Sequence, residues 1–454
     1  MTTITITATL TSNLNNGGGG PIPTPTPPVN IVTPNVTGSS IIGQTLTTTD
    51  GTWTGTNPIT YSYQWKNNGV DILGETNSTY VTVFGDYGDS ITCEVTGTNV
   101  AGSSSAISNS IVVTAAVPVN TSAPSVSGNN VVGETLTTTN GAWTGTSPIT
   151  YTYQWVRDTT NISGEVSNTY TLVQADATFV VYCVVTATNI GGSANVNSDS
   201  NYILDADANA FLTATAITDN TLVVATNELV VDLKGYSIYT RFTALYPFIG
   251  GTATTHKFNL INPLDTNAAF RIEWLGGVTH NANGITGNGT NGYGETYIKP
   301  SVDLVLNSTH IAFWSKTNSQ NATAEMGIQD GSLNAGLRVI TRNASNQTQY
   351  QVNDNASTIV SSVTDSSGFY CASRTASNSR KLYKNGTAIQ TATSASTTRT
   401  TATIPVLGQK NFNNTMMSYL AKNFIFASAG GGLNDTQAAD YYTAVNKFQT
   451  AIGR

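Results

Sequence analysis

One glycine-rich stretch gathers side chains suited to recognition rather than turnover. Residues 280–297 read HNANGITGNGTNGYGETY and bring Asn283, Asn288, Asn291, Tyr293 and Glu295 close together. Amides can donate to and accept from hydroxyl groups, a carboxylate can accept from them, and a tyrosine ring offers a flat apolar face. That combination suits a hydroxyl-rich ligand such as a carbohydrate, and loops on a rigid scaffold are where such groups are displayed. Asn288, Asn291, Tyr293 and Glu295 are therefore the expected ligand-binding residues. Each also has a plainer use: Tyr293 and Tyr297 can bury in a sheet while the glycines only turn the chain. Trp274 and Trp314 sit in alternating apolar–polar runs and read as core rather than as platforms.

Other chemistries find less support. Acid–base work on a glycosidic bond needs two carboxylates flanking it, about 5 or 6.5–9.5 Å apart. Glu273, Glu295 and Glu325 each stand without an acidic neighbour at strand spacing, so no enzymatic activity is expected. His256, His280 and His310 lie far apart in the chain and lack metal-ligand spacing. Oxygens from Asp303, Asp330 or Asp354 suggest only a scattered calcium set. The expectation is accordingly no catalytic residues, no metal and no cofactor.

Composition narrows the class. The formal net charge is −7 and charged residues make up only 10% of the chain, so no basic stripe is available to neutralise phosphates and nucleic acid is not an expected partner. Hydrophobic residues at 39%, with 20 tyrosines, are enough for packed cores. No run of about 18 apolar residues occurs, so no membrane insertion by a helix is expected. The amino terminus, MTTITITATLTSNLNN, has neither a basic region nor a continuous apolar segment and does not read as a secretory signal. Three cysteines, Cys93, Cys183 and Cys371, fall one to a module and give no disulfide framework.

The elements that must carry this stretch follow in order. Residues 2–10 alternate threonine with isoleucine or leucine and read as a single strand, which requires a partner outside its own module. Residues 1–16 are thus an expected anchoring strand, and 17–28 a glycine–proline linker whose PIPTPTPP run would extend roughly 25 Å at about 3.1 Å per residue. Trp53, Trp65, Tyr80 and Cys93 recur as Trp143, Trp155, Tyr170 and Cys183 at a constant offset of 90 residues. Short strands with Gly, Asn and Pro turns make two Ig-like sandwiches, 29–116 and 117–203, with Leu46 or Leu136 where an antibody domain has its first cysteine. Beyond them, residues 204–454 begin with apolar residues at helical spacing, with Asp207 and Asp219 as expected caps and a second helical piece over 237–246 that places Ile238, Phe242 and Leu245 together. Short strands follow (AFRIEWLGG, THIAFWSKT, SGFYCASRT, RKLYKNGTAIQTAT), with Asn385-Gly386 as a tight hairpin turn. A closing helix from about Asp435 carries Ala438, Tyr442, Val445, Phe448 and Ile452 on one face.

Several motifs carry a resemblance. YQW, DYGDSITC and DATFVVYC resemble the bacterial and phage Ig-like family. DADANAFL, DLKGY, YPFIGGTATTHKFNL, GNGTNGYGETYIKPS and FQTAIGR, spanning nearly all of 205–454, resemble a concanavalin A-like domain of bacteriophage structural proteins. LYKNGTAIQ is similar to the strand–turn–strand of laminin G-like jelly rolls. Laminarinase-type relatives of that fold present Glu-x-Asp-x-(x)-Glu on one strand, and no such run occurs here. The resemblance implies a mainly β chain: two tandem Ig-like β-sandwiches, then a concanavalin A-like jelly-roll sandwich with short flanking helices. It further implies a virion protein, a head fibre, spike or tail fibre, whose lectin-like head attaches to host-surface glycan. Its expected partners are other virion proteins, through the N-terminal segment, and further copies of itself, and release by lysis would need no signal peptide. A decoration protein binding only virion subunits is the alternative, and a bacterial surface adhesin is a third.

Overall fold

Alternation along the first repeat decides what is buried there. In the computed structural model, which describes residues 23–329 and 336–454, Leu46, Trp65, Ile91, Cys93 and Val95 are completely buried. They project from two packed sheets. One joins Val36–Gly38, Thr45–Thr48 and Thr79–Val81. The other joins Ile111–Val112, Ser90–Asn99, Thr60–Asn67 and Val70–Asp71, with Gly102–Ile107 also on Ser90–Asn99. Trp65 lies opposite Cys93 in the ladder, and its indole Nε1 donates to the Asn77 carbonyl at 2.9 Å. The thiols of Cys93, Cys183 and Cys371 are all free and buried. A tryptophan, a leucine and one thiol fill the space that a bridge would span.

Contacts divide the described chain into two units. One comprises the described residues up to Ala123 with Asn140–Thr152 and Val185–Val196; the other comprises Pro124–Thr139, Tyr153–Val184 and Asn197–Arg454. Within the first, Asn99 donates to the carbonyls of both Thr26 and Thr56 at 2.8 Å. Asn189 does the same for Ala116 and Thr146. The repeat therefore reaches back at least to Thr26, and the end of the proline-rich linker lies against the first sandwich instead of standing free. The segment 1–16 and its glycine joint fall outside the described residues.

In the second unit, Trp155 and Cys183 are completely buried, and Trp155 Nε1 donates to the Ser167 carbonyl at 2.9 Å. The C-terminal domain then opens with helix α1, Ala206–Thr215. Its N-cap is Asp205, which accepts from the Asp207 amide, so Asp205 and not Asp207 is the cap. Asp219 caps helix α2, Asn220–Gly235, as expected. The expected helix over 237–246 is instead a short 3₁₀ turn, Tyr239–Arg241, followed by a strand, Phe242–Tyr246, that pairs with Asn423–Gly430.

That strand joins an eight-stranded sheet whose central strands are Asn423–Gly430, Thr309–Ser315 and Gly368–Ala376. One face packs on a six-stranded sheet through Ile311, Phe313, Tyr370 and Phe424 against Met326, Ile328, Leu337, Val339 and Tyr350. The other face, with Ala312, Phe369, Cys371 and Phe426, is covered by α1, α2 and the last helix, α3, Asp435–Ala451. A sheet covered on both sides explains why Thr309–Ser315 is buried at nearly every residue rather than at alternate ones. On α3, Ala438, Val445 and Phe448 are buried as expected. Tyr441, unlike its half-buried neighbour Tyr442, is wholly buried and donates to Ser428 Oγ at 2.7 Å. Asn385 and Gly386 both adopt positive φ, 49° and 76°, and close the hairpin between Ser379–Lys384 and Thr387–Ala392. Among the described residues, no helix is long and apolar enough to cross a membrane.

Candidate functional site

Two short strands position the glycine-rich stretch. Glu273–Leu275 pairs with Tyr293–Glu295 so that Glu273 faces Glu295 and Leu275 faces Tyr293, while Trp274 lies opposite Gly294. Side chains alternate between faces, so Glu273, Leu275, Tyr293 and Glu295 share one side and Trp274 the other. Gly294 must be glycine here, because a Cβ would lie 2.7 Å from the Trp274 ring.

Asn288 holds the loop together. Its Oδ1 accepts from the amides of Thr290, Asn291 and Gly292 at 2.9–3.1 Å, and its Nδ2 donates to Asn291 Oδ1 at 2.7 Å. Asn291 Oδ1 also accepts from the Gly277 amide. Both residues are exposed, and their oxygens are spent on the loop. The Asn291 Nδ2 group and one Asn288 Nδ2 hydrogen remain for a ligand.

Tyr293 is half-buried in its strand. Its ring lies 5.8 Å from that of Tyr419, tilted by 51°, with the Lys410 ammonium 5.8 Å from its centroid. Burial, aided by Glu295, raises its phenol above the ordinary range. Glu295 is 7% exposed and pairs closely with Lys410. Lys410 in turn donates to Thr403 Oγ1 at 2.6 Å and Asn414 Oδ1 at 3.1 Å. Glu295 thus lies beneath the patch as half of a buried ion pair. Tyr419 and Lys410 went unnoticed in the sequence because they reach the patch from over 100 residues away.

Folding brings together two pairs that linear spacing hid. Glu273 and Glu295 sit side by side across the ladder, yet Glu295 is committed to Lys410 and Glu273 accepts from the Tyr297 hydroxyl. That is not the free pair glycoside hydrolysis requires. His256 Nδ1 and His280 Nδ1 lie 3.1 Å apart. Because His256 Nε2 accepts from the Gly251 amide, its proton sits on Nδ1 and is donated to His280. Burial first, then His280 and Arg454, lowers His256 to about 3. Among the described residues no third His, Cys, Asp or Glu completes a metal set. Asp303 caps the Lys299 amide at 2.7 Å, and Asp354 is enclosed by Arg374 and Arg380 at 2.8 and 2.7 Å. Asp330 lies outside the described residues.

No protein-family model matches the chain, and no curated protein matches it. Solved structures similar to it include the titin I-band fragment I67–I69, at 18% identity over 40% of this chain and 66% of that one, with a TM-score of 0.16. Another is the binding domain of botulinum neurotoxin serotype D, at 13% identity over 46% and 52%, with a TM-score of 0.29. A third is Trypanosoma rangeli sialidase in complex with sialic acid, at 8% identity over 90% and 76%, with a TM-score of 0.33. The chain spans just under two thirds of the titin fragment and about half of the neurotoxin domain. Likeness at this level carries no argument about fold or activity.

Proposed function

We propose that the chain is a non-enzymatic virion structural protein, a fibre or spike, whose C-terminal domain attaches to surface carbohydrate. The observation that carries the reading is the half-buried Tyr293–Tyr419 ring pair, 5.8 Å apart, with Tyr293 on the strand that directly follows the exposed loop of Asn288 and Asn291. A pyranose ring has an apolar face to lay on the tyrosines and hydroxyls to accept from the amides. The two repeated sandwiches ahead of this domain are spacers by the same reading, and the segment 1–16 is its attachment to other virion proteins. The virion setting rests on the motif resemblances of the sequence.

The test is a glycan array probed with the whole chain, its Tyr293→Ala variant and its Tyr419→Ala variant. Binding to a restricted set of glycans that both variants lose at unchanged melting temperature supports the reading. A chain that binds no glycan but incorporates into particles is a decoration protein, and the carbohydrate reading falls.

A further inference from the structure

The two repeats share a buried carboxylate cage and differ in what neutralises it. In the second, Asp176 Oδ2 accepts from the Tyr170 hydroxyl at 2.8 Å and the Val173 amide at 2.7 Å. Its Oδ1 accepts from Arg157, at 2.7 Å from Nε and 2.6 Å from Nη2. In the first, Asp86 Oδ2 accepts from Tyr80 at 2.6 Å and the Val83 amide at 2.8 Å, so the cage is the same. The residue equivalent to Arg157 is Asn67, whose amide donates to Asp86 Oδ1 at 2.9 Å. Asp86 is 3% exposed and has no cationic partner among the described residues. Burying a carboxylate without a countercharge is costly, and the second repeat shows the group that resolves it.

The shorter side chain leaves a vacancy. A cleft of about 580 Å³ is lined by Asn67, Asn68, Val70, Tyr80, Val83 and Asp86, and also reaches Asp71 and Asp89. Lys66 offsets Asp71 at 2.5 Å, and Asn68 donates to Asp89 at 2.7 Å. The rim differs as well. Val70, Leu73, Phe84 and Tyr87 are 71%, 98%, 51% and 40% exposed, where the second repeat has Thr160, Ser163, Gln174 and Ala177. Of these, Val70 lines the cleft, and Leu73, Phe84 and Tyr87 each adjoin a lining residue in sequence, while at the position of the lining Asp89 the second repeat carries the exposed Phe179. An apolar rim around a desolvated charge is the layout of an interface hot spot.

We infer that this cleft in the first sandwich receives an arginine side chain, flanked by apolar residues, from a partner protein. The guanidinium takes the place that Arg157 fills within its own domain, with one fork on Asp86. In the Arg157 arrangement two N–H groups of one plane converge on a single carboxylate oxygen, a geometry that a flat guanidinium supplies and an ammonium does not.

The experiment titrates the full chain with the peptide acetyl-Leu-Arg-Val-amide, followed by NMR shifts of the first sandwich. Citrulline and lysine versions serve as controls. Expected is saturable binding that weakens at least about tenfold, ~1.4 kcal/mol, with citrulline or lysine. Asn67→Arg fills the cleft from within and should abolish binding while raising the melting temperature of the first sandwich. Should that variant misfold, the double variant V70T/F84Q, which restores the residue types of the second repeat, should weaken binding at unchanged melting. Equal binding of the citrulline or lysine peptide, retention of binding in folded Asn67→Arg, or no binding by the wild type at tens of millimolar overturns the inference.

Discussion

His310 is enclosed by the eight-stranded sheet, its Nδ1 against the Gly431 carbonyl at 2.6 Å and its Nε2 against Ser428 Oγ at 3.1 Å. Burial, opposed only by the Gly431 carbonyl, moves it from the ordinary 6.5 to about 4. With His256 at about 3, two imidazoles stay neutral in the folded chain at pH values where the unfolded chain binds a proton at each. Stability from this source is complete above about pH 6.5 and is lost as pH falls towards 4, by up to about 1.4 kcal/mol per pH unit for each histidine. Carboxylates held low, such as Asp265 and Asp435, keep their contribution until the pH falls to about 5, whereas Asp354, raised by burial, acts in the opposite sense, so the window from 6.5 to 5 reports chiefly the histidines, His280 included. Denaturant unfolding of the C-terminal domain across that window should show the fall, and His310→Gln should reduce its slope by about half; a flat wild-type profile would remove the argument. Trp65 and Trp155 make the other residue-scale case. Each is wholly buried beside a free thiol, and replacement by alanine should cost about 3–5 kcal/mol, seen as loss of one sandwich's unfolding transition.

The element where most depends on one side chain is the start of α1. Asp205 is completely buried. Burial pushes its carboxyl up, but Lys234, Gln174 and the Asp207 amide hold it below the usual carboxylate range. Lys234 reaches it at 2.7 Å from the end of α2, and Gln174 at 2.8 Å from the second sandwich. One carboxylate thus caps α1, ties it to α2 and joins both to the preceding sandwich. Asp205→Ala removes all three and leaves Lys234 with only Asp207, a loss of about 3 kcal/mol by the usual cost of breaking a buried pair. The measurement is proteolysis near residue 204: wild type should resist and the variant should be cut, with equal resistance counting against the junction. The sequence placed a cap here and missed which aspartate it was, since Asp205 and Asp207 both precede an apolar run. Phe242–Tyr246 was misread for a related reason. Its apolar residues fit either period over so short a run, and only pairing with Asn423–Gly430, nearly 200 residues away, decides for strand. The repeat, the thiols without partners and the Asn385-Gly386 turn were legible because local chemistry fixes them. At the candidate site the glycine-rich stretch pointed to Asn288, Asn291, Tyr293 and Glu295, but neither the burial of Glu295 against Lys410 nor the long-range neighbour Tyr419 could be read from it.

At the scale of the whole molecule, a shallow patch with two half-buried tyrosines and a few amide donors has little area to cover on binding. One C-terminal domain should hold a glycan weakly, because ordering the ligand offsets most of what a small contact gains. Attachment by the proposed route therefore requires several copies displayed together, where every contact after the first is intramolecular and avidity exceeds single-site affinity by roughly 10²–10⁴. The comparison to make is between the free chain and the same chain coupled to beads at rising density, each challenged with host cells. Retention should rise steeply with density, be competed by the soluble glycan identified on the array, and vanish with Tyr293→Ala at unchanged melting. Melting that drops by many degrees in the variant would show that Tyr293 serves the fold of its strand and leave Tyr419 to test the platform. Retention that grows only in proportion to density, or that Tyr293→Ala and Tyr419→Ala both leave intact, would show that the patch does not carry attachment.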